Sequence, residues 1–394
     1  MNPGPTDAWV ESAAARIGAR AGAELATLVA VSSPSGDVEG AEAAVAVAIG
    51  ALPDGAAVER LPCSSPGHAP DLCARVAGEG SGRFLLLGHL DTVVAHGAHR
   101  PLERDGGRLV GSGAIDMKGG VALALGALRE LADRPESFAE VALLLVTDEE
   151  WRTGSLAHVE RFAGFDACLC FEAGEHTAGG DDAVIVKRKA AGTLHVRASG
   201  RAAHSGAAPD RGRSALLALA EVARRVHAGS DPGGPDRLTA VPTVLHSGEA
   251  FNVVPADGEL TVDLRADRLD AFQPVLASIP AELDEVALES RLVRSWPGMD
   301  ARAAAADVLP RAAQRLGRPL VGSERGGASD ASHMASALEL TIDGLGPCGG
   351  AAHSPDEWLR ADSLEPRARV ALAIVAALLD SAQPLSRGRH RRPR

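Results

Sequence analysis

Five stretches of this chain follow apolar runs or glycine-rich turns with residues that bind metals or move protons. His89-Leu90-Asp91 follows Phe84-Leu85-Leu86-Leu87-Gly88. Asp116 sits in Gly113-Ala114-Ile115-Asp116-Met117-Lys118-Gly119-Gly120, and Glu149-Glu150 closes the run that begins at Val141. Glu172 closes Ala167-Cys168-Leu169-Cys170-Phe171, and His353 lies in a glycine-rich loop near the end. Imidazole nitrogens and carboxylate oxygens are the donors that divalent ions take up. Two imidazoles and several carboxylates at strand ends have the means to hold two such ions around one water, which is the equipment of a hydrolase.

Each piece also has a plainer reading. Alternate strand residues face one side, so Asp91 is placed to brace the His89 imidazole, yet a structural histidine would look the same. Asp116 is either the N-cap of the helix opened by Gly119-Gly120 or an anion shared by two cations. Glu149-Glu150 is either a solvated turn or a division of labour, one carboxylate binding metal and the other moving protons. The second reading needs a non-extended backbone there, because neighbouring strand residues point to opposite faces. Glu172 repeats the pattern of an acid at a strand end, and that recurrence argues against chance.

The elements that must position these residues alternate in type. Helical periodicity spans 8–31 and 38–52, followed by strand-like runs at 57–61, 72–76 and 83–88. A helix is expected at 119–132 and a fully apolar strand at 139–147. This pattern indicates an α/β layer structure with a mostly parallel sheet flanked by helices, whose strand C-terminal ends are the usual place for a site. After a polar loop at 174–182, strands at 193–199, 239–246, 257–266 and 287–294 alternate with helices at 214–227 and 269–278. These read as a β-α-β-β-α-β unit, a small α+β (ferredoxin-like) domain inserted in the larger one. Helices at 301–316 and 362–381 return to the first domain. The expected division is 1–191 with 300–394 for the metal-binding catalytic domain, and 192–299 for the inserted lid or dimerisation domain.

Composition narrows the partners. A formal charge of -12 over 394 residues argues against nucleic acid and anionic membranes, apart from the basic run at 387–394, read as a functionless tail. No signal-peptide pattern and no membrane-length apolar run are present. Five scattered cysteines fit reduced thiols in a cytoplasmic setting, with Cys168 and Cys170 as core packing on a buried strand. Lys187-Arg188-Lys189 holds two of the three lysines, a hint of an anionic substrate set against a solvated strand joining the domains.

Taken in order, H-x-D, D, E-E, E and H resemble the co-catalytic di-zinc family of aminoacylases and carboxypeptidases. That family includes glutamate carboxypeptidase, acetylornithine deacetylase and succinyl-diaminopimelate desuccinylase. Further matches are His204-Ser-Gly206, Asn252-Val-Val-Pro255, Gly326-Gly-Ala-Ser-Asp-Ala331 and His353-Ser354. Ala203-His-Ser-Gly-Ala-Ala-Pro209 and Glu324-Arg325-Gly-Gly look most like the glutamate carboxypeptidase branch. The resemblance assigns His89, Asp116 and Glu172 to one zinc and Glu150, Asp116 and His353 to the other, with Asp116 bridging. Two Zn²⁺ per subunit are implied, in a site that Co²⁺ or Mn²⁺ could also occupy. It makes Glu149 the general base, Asp91 the residue that orients His89, and His204 an oxyanion donor reaching a neighbouring subunit, hence a homodimer through the inserted domain.

Asn252, Arg265 and Arg325 match positions that engage a substrate carboxylate, which an arginine clamps through paired hydrogen bonds. The implied reaction is cleavage of an amide bond by a metal-bridging water, releasing a C-terminal acidic amino acid from a small N-acyl or peptide substrate. A deacylase of another N-acyl amino acid shares the mechanism with a different pocket. A non-catalytic binding protein on the same fold would be expected to have lost Glu149 or a ligand. Relatives that trim N-termini tend to carry Asp where this chain has Glu172. Departures from the family pattern are the segment Glu150-Trp-Arg-Thr-Gly-Ser155, the stretch between Glu172 and His204, and Cys348 close to His353.

Overall fold

The computed structural model describes residues 7–382, so the basic run at 387–394 lies outside the described residues. Its principal strands are β1 (Ala57–Leu61), β2 (Asp71–Ala77), β3 (Arg83–His89), β4 (Glu140–Val146), β5 (Ala167–Cys170), β6 (Asp182–Arg188) and β7 (Ala190–Ser199). They continue with β8 (Thr239–Ser247), β9 (Asp257–Ala266), β10 (Val286–Trp296), β11 (Met299–Asp300), β12 (Leu320–Arg325) and β13 (Thr341–Ile342). The principal helices are α1 (Ala8–Val29), α2 (Val38–Gly50), α3 (Gly119–Ala132), α4 (Ala215–Ala228), α5 (Val308–Leu316), α6 (Asp330–Met334) and α7 (Leu364–Ala382).

The larger sheet has the order β1-β2-β4-β3-β5-β13. Strands β4, β3, β5 and β13 are parallel, while β1 and β2 add an antiparallel edge. Side chains on successive strand residues bury on opposite faces. Leu86, Leu143, Leu145 and Leu169 pack in one core with α1, α3 and α7. Their neighbours Leu85, Leu87, Leu144, Cys168 and Cys170 pack in another with Phe162 and Met334. Both faces are covered, which is why these strands read as unbroken apolar runs rather than alternating ones. The packing role expected for Cys168 and Cys170 follows from the same geometry.

A second sheet, β8-β9-β7-β10, is wholly antiparallel. Its apolar face buries Leu194, Val196, Leu260, Val262 and Leu264 against Leu219 and Val222 of α4 and against Phe272. In order along the chain the unit runs β7-α4-β8-β9-helix-β10, the ferredoxin-like arrangement expected from the sequence. Strand β6 bridges the halves. It pairs in parallel with β12 and antiparallel with β11, so Met299 faces Arg188 where the chain leaves and re-enters the second sheet.

Some elements differ from expectation. The helix expected over 301–316 is two, Arg302–Ala305 and α5, because Pro310 has no N–H and fits only the first turn of a helix, which therefore restarts at Val308. The helix expected at 269–278 is a 3₁₀ turn, Leu269–Phe272, followed by five residues, Gln273–Ala277. The expected loop at 174–182 contains a hairpin in which Glu175 and His176 pair with Ala183 and Asp182. Among the described residues no helix is long and apolar enough to cross a membrane.

Candidate metal centre and its cavity

Three parallel strands deliver the candidate ligands to one edge of the larger sheet. His89 is the last residue of β3, and Glu149-Glu150 and Glu172 lie just beyond β4 and β5. Asp116 comes from a tight turn before α3. That helix starts close to the sheet because Gly120 lacks a Cβ, which would otherwise sit 1.8 Å from the Phe171 carbonyl oxygen. His353 arrives on the loop before α7 with φ of 64°.

The donors converge. His89 Nε2 lies 3.1 Å from Asp116 Oδ1 and 3.8 Å from Glu172 Oε1. His353 Nε2 lies 3.1 Å from Asp116 Oδ2 and 3.2 Å from Glu150 Oε2. Asp116 thus sends one oxygen to each histidine. The two groups, His89/Asp116/Glu172 and Asp116/Glu150/His353, each keep their ligand atoms within 4.8 Å. The N-cap reading of Asp116 fails, since α3 has no side-chain cap at its start.

Asp91 organises the neighbourhood. Its backbone oxygen lies 3.0 Å from His89 Nδ1 and its Oδ1 lies 3.3 Å away, contacts that favour a proton on Nδ1 and leave Nε2 free as a donor atom. The same carboxylate accepts the backbone N–H groups of Glu149 and Glu150, each at 3.1 Å. These bonds hold the residues after β4 in a turn, and both glutamates line one cavity of about 520 Å³.

The electrostatics fit a site built for cations. Burial, reinforced by Asp116, pushes Glu172 well above the usual carboxylate range. Burial, with Glu150, Asp116 and Asp91 adding to it, lifts Glu149 to about 7 against the pull of His89. Burial also raises Glu150. So many carboxylates in so little space are costly without cations among them, and a mixed imidazole and carboxylate set of this shape fits two divalent ions of the zinc type.

The remaining candidates divide. Arg265 and Arg325 line the cavity, but Arg265 is held by Asp263 at 3.0 Å, and Arg325 by Glu175 at 2.8 Å and the Ala173 carbonyl at 3.0 Å. His204 and Asn252 are not among the residues lining the cavity. They sit on a ribbon in which Ala203-His204 pairs with Val253-Val254, and His204 is exposed. Its Nδ1 accepts from the Gly206 and Ala207 amides at 3.2 Å, so Nε2 carries the ring proton. The lysines at 187 and 189 are engaged within the chain: Lys187 is buried against Asp267 at 2.8 Å, and the half-buried Lys189 donates to the Arg237 carbonyl at 2.8 Å. Both tie β6 and the segment after it to the second sheet. Cys348 is buried with its Sγ 3.5 Å from His176 Nδ1 and belongs to neither ligand group.

Two participants escaped the sequence. Glu357 is buried and accepts the backbone N–H groups of Gly113, Ile115 and Asp116 at 2.8, 2.8 and 2.9 Å, fixing the turn that presents Asp116. Its only sequence signal is an acid four residues after His353. Arg294, on β10, lines the same cavity as the glutamates and is one arginine among many in the sequence.

Comparison with known proteins places the chain among relatives. The sequence pattern of peptidase family M20/M25/M40 matches residues 85–377. Carboxypeptidase G2 of Pseudomonas sp. (strain RS-16) is 28% identical over 345 residues, spanning 84% of this chain and 82% of that protein. Succinyl-diaminopimelate desuccinylase of Stenotrophomonas maltophilia (strain R551-3) is 32% identical over 317 residues, spanning 73% of this chain and 82% of that protein. In fold, the chain is similar to aminopeptidase PepT from Bacillus cereus ATCC 10987, with a TM-score of 0.75 at 21% identity over 92% of this chain and 98% of that one.

Proposed function

The chain belongs to peptidase family M20/M25/M40 and is a metal-dependent amidohydrolase, and from that premise we propose that it releases a C-terminal acidic amino acid, glutamate foremost, from a small N-acyl or peptide substrate. The observation that carries the reading is the cavity itself, lined by Asp116, Glu149, Glu150, Glu172 and His353 together with Arg188, Arg265, Arg294 and Arg325. A cavity lined by guanidinium groups suits a carboxylate-bearing leaving group.

In this reading His89, Asp116 and Glu172 hold one divalent ion, and Asp116, Glu150 and His353 hold the other. Two zinc ions bound there supply Lewis acidity toward the attacking water and the scissile carbonyl. Glu149 takes a proton from that water and passes it to the departing nitrogen, yielding a carboxylic acid and an amine. Asp91 keeps His89 in the tautomer that leaves Nε2 available and holds the Glu149 backbone in place. The division into a catalytic domain, 1–191 with 300–394, and an inserted domain, 192–299, belongs to the same proposal.

So does a homodimer. Strand β8 forms one edge of the second sheet and exposes Val241, Val244 and Leu245, while α4 beside it exposes Leu217. A long edge with apolar side chains is a template for pairing. His204, outside the cavity lining of its own chain, would then donate its Nε2 proton toward the oxyanion in the partner's site. Five free cysteines accord with a cytoplasmic setting.

Similarity to the desuccinylase, at 32% identity, supports a second reading with the same chemistry and an N-succinyl substrate. The test is amino-acid release by the zinc-loaded protein from N-acyl amino acids and dipeptides, with and without a chelator. Chelator-sensitive release confined to glutamate or aspartate conjugates is expected. Preferred turnover of succinyl-diaminopimelate would transfer the assignment to the desuccinylase reading.

A further inference from the structure

Four guanidinium groups line the cavity, and they are not equivalent. Arg188 is buried against Asp343 at 2.6 Å and donates to the Gly327 carbonyl at 2.8 Å. Arg265 is paired with Asp263, and Arg325 with Glu175. Each already has the anion that a substrate would otherwise supply. Displacing such a partner costs a bidentate or charge-assisted bond before any new one forms.

Arg294 differs. Its Nε is buried without a hydrogen-bond partner, and among the described residues no carboxylate pairs with it. It packs over the Trp296 ring at 4.4 Å, and Arg152 stands at 4.9 Å from the same ring. Trp296 is itself fully buried, and its Nε1 donates to the Arg152 carbonyl at 3.1 Å. The Arg294 guanidinium is therefore seated over a buried indole. A planar group held by its face keeps its edge as a two-pronged donor. Burial weakens its charge, Arg265 and Arg152 add to that, and Glu149 acts in the opposite direction. A half-buried cation without a partner is costly, and an incoming anion recovers that cost.

We infer that Arg294, rather than Arg265 or Arg325, receives the α-carboxylate of the departing amino acid. The α-carboxylate is the anion that every C-terminal amino acid carries, and Arg294 is, among the described residues, the cavity guanidinium left without an anion of its own. Glu149 hands its proton to the leaving nitrogen, and the α-carboxylate is attached one carbon from that nitrogen. Glu149 and Arg294 line the same cavity, so the leaving nitrogen and the α-carboxylate beside it have their partners in one space. The inference rests on the proposed release of a C-terminal amino acid and departs from the clamp implied by resemblance.

The test compares the zinc-loaded full-length wild type with Arg294→Gln, Arg294→Lys, Arg265→Gln and Arg325→Gln. Steady-state kinetics use an N-acyl glutamate and the same compound with its α-carboxylate capped as the amide. Calorimetry measures binding of free glutamate and of its α-amide. Arg294→Gln is expected to raise KM for the free acid at least about 30-fold and to leave the α-amide unaffected, with metal content and thermal midpoint unchanged. Arg294→Lys should restore part of the loss. Retained preference for the free acid in Arg294→Gln, or collapse of that preference only in Arg265→Gln or Arg325→Gln, overturns the inference while hydrolysis itself upholds the proposed function. A wild type that hydrolyses nothing yet binds glutamate through Arg294 upholds the carboxylate contact and overturns the proposed function. Neither hydrolysis nor glutamate binding overturns both.

Discussion

Glu357 shows how a residue far from the reacting atoms controls the site. Its two oxygens accept three backbone N–H groups from the turn that carries Asp116. Burial outweighs those bonds and pushes its carboxyl to about 7. Glu357→Gln would put an amide NH₂ against at least one of the three N–H donors and loosen the turn. Zinc affinity should fall about 10- to 100-fold, read by competition with a chelating indicator, with the fold intact. An unchanged affinity would mean that Asp116 is held from elsewhere. At this scale the candidate ligands were legible because metal chemistry restricts residue type and strand ends restrict position. Glu357 was not, since its partners are backbone groups that leave no mark on composition. The pairing of Arg265 was within reach of the sequence, because Asp263 lies two residues away on the same strand face.

Apolar runs located β3, β4 and β5 of the larger sheet and alternation located β7 of the smaller one, while β13, two residues long, left no run to read. Contacts between elements were not legible, and one of them is a buried cluster that joins three segments. Arg152, two residues beyond Glu150, is fully buried between Asp148 at 2.7 Å and Asp330 of α6, over Trp296 of β10. What the sequence presents as a variant turn is the junction of both sheets. His333 of α6 meets Trp296 edge-on at 4.8 Å in the same cluster. Burial, helped by Arg152 and Arg294, lowers its pKa from 6.5 to about 3. The unfolded chain therefore takes up a proton there between those values that the folded chain refuses, so stability is lost as pH falls through this window. His333→Asn should flatten the acid limb of thermal stability, by at most about 1.4 kcal/mol per pH unit, when both proteins are compared in one metal state. Parallel acid limbs would place the sensitivity in other groups.

At the scale of the whole molecule, the proposed dimer was suggested only through resemblance, because association is written in surfaces that the chain assembles from distant segments. Leu217 is 70% exposed and Val244 44%. Replacing both with glutamate should shift the protein toward monomer in sedimentation or light scattering, and hydrolysis should fall with the dimer fraction. A monomeric wild type with full turnover would remove His204 from the reaction. The junction between sheets carries one more consequence. Because Met299 pairs with Arg188 and Trp296 with Ala191, the points of departure and return are hydrogen-bonded neighbours. The whole intervening segment thus hangs like the tip of an enlarged hairpin. A single in-frame deletion could close that stem with a short turn, and a single recombination could exchange its contents. Since Arg265 and Arg294 travel with the segment while Glu149 and the candidate ligands stay behind, a lineage can inherit a new grip on its substrate without disturbing the machinery that cuts it.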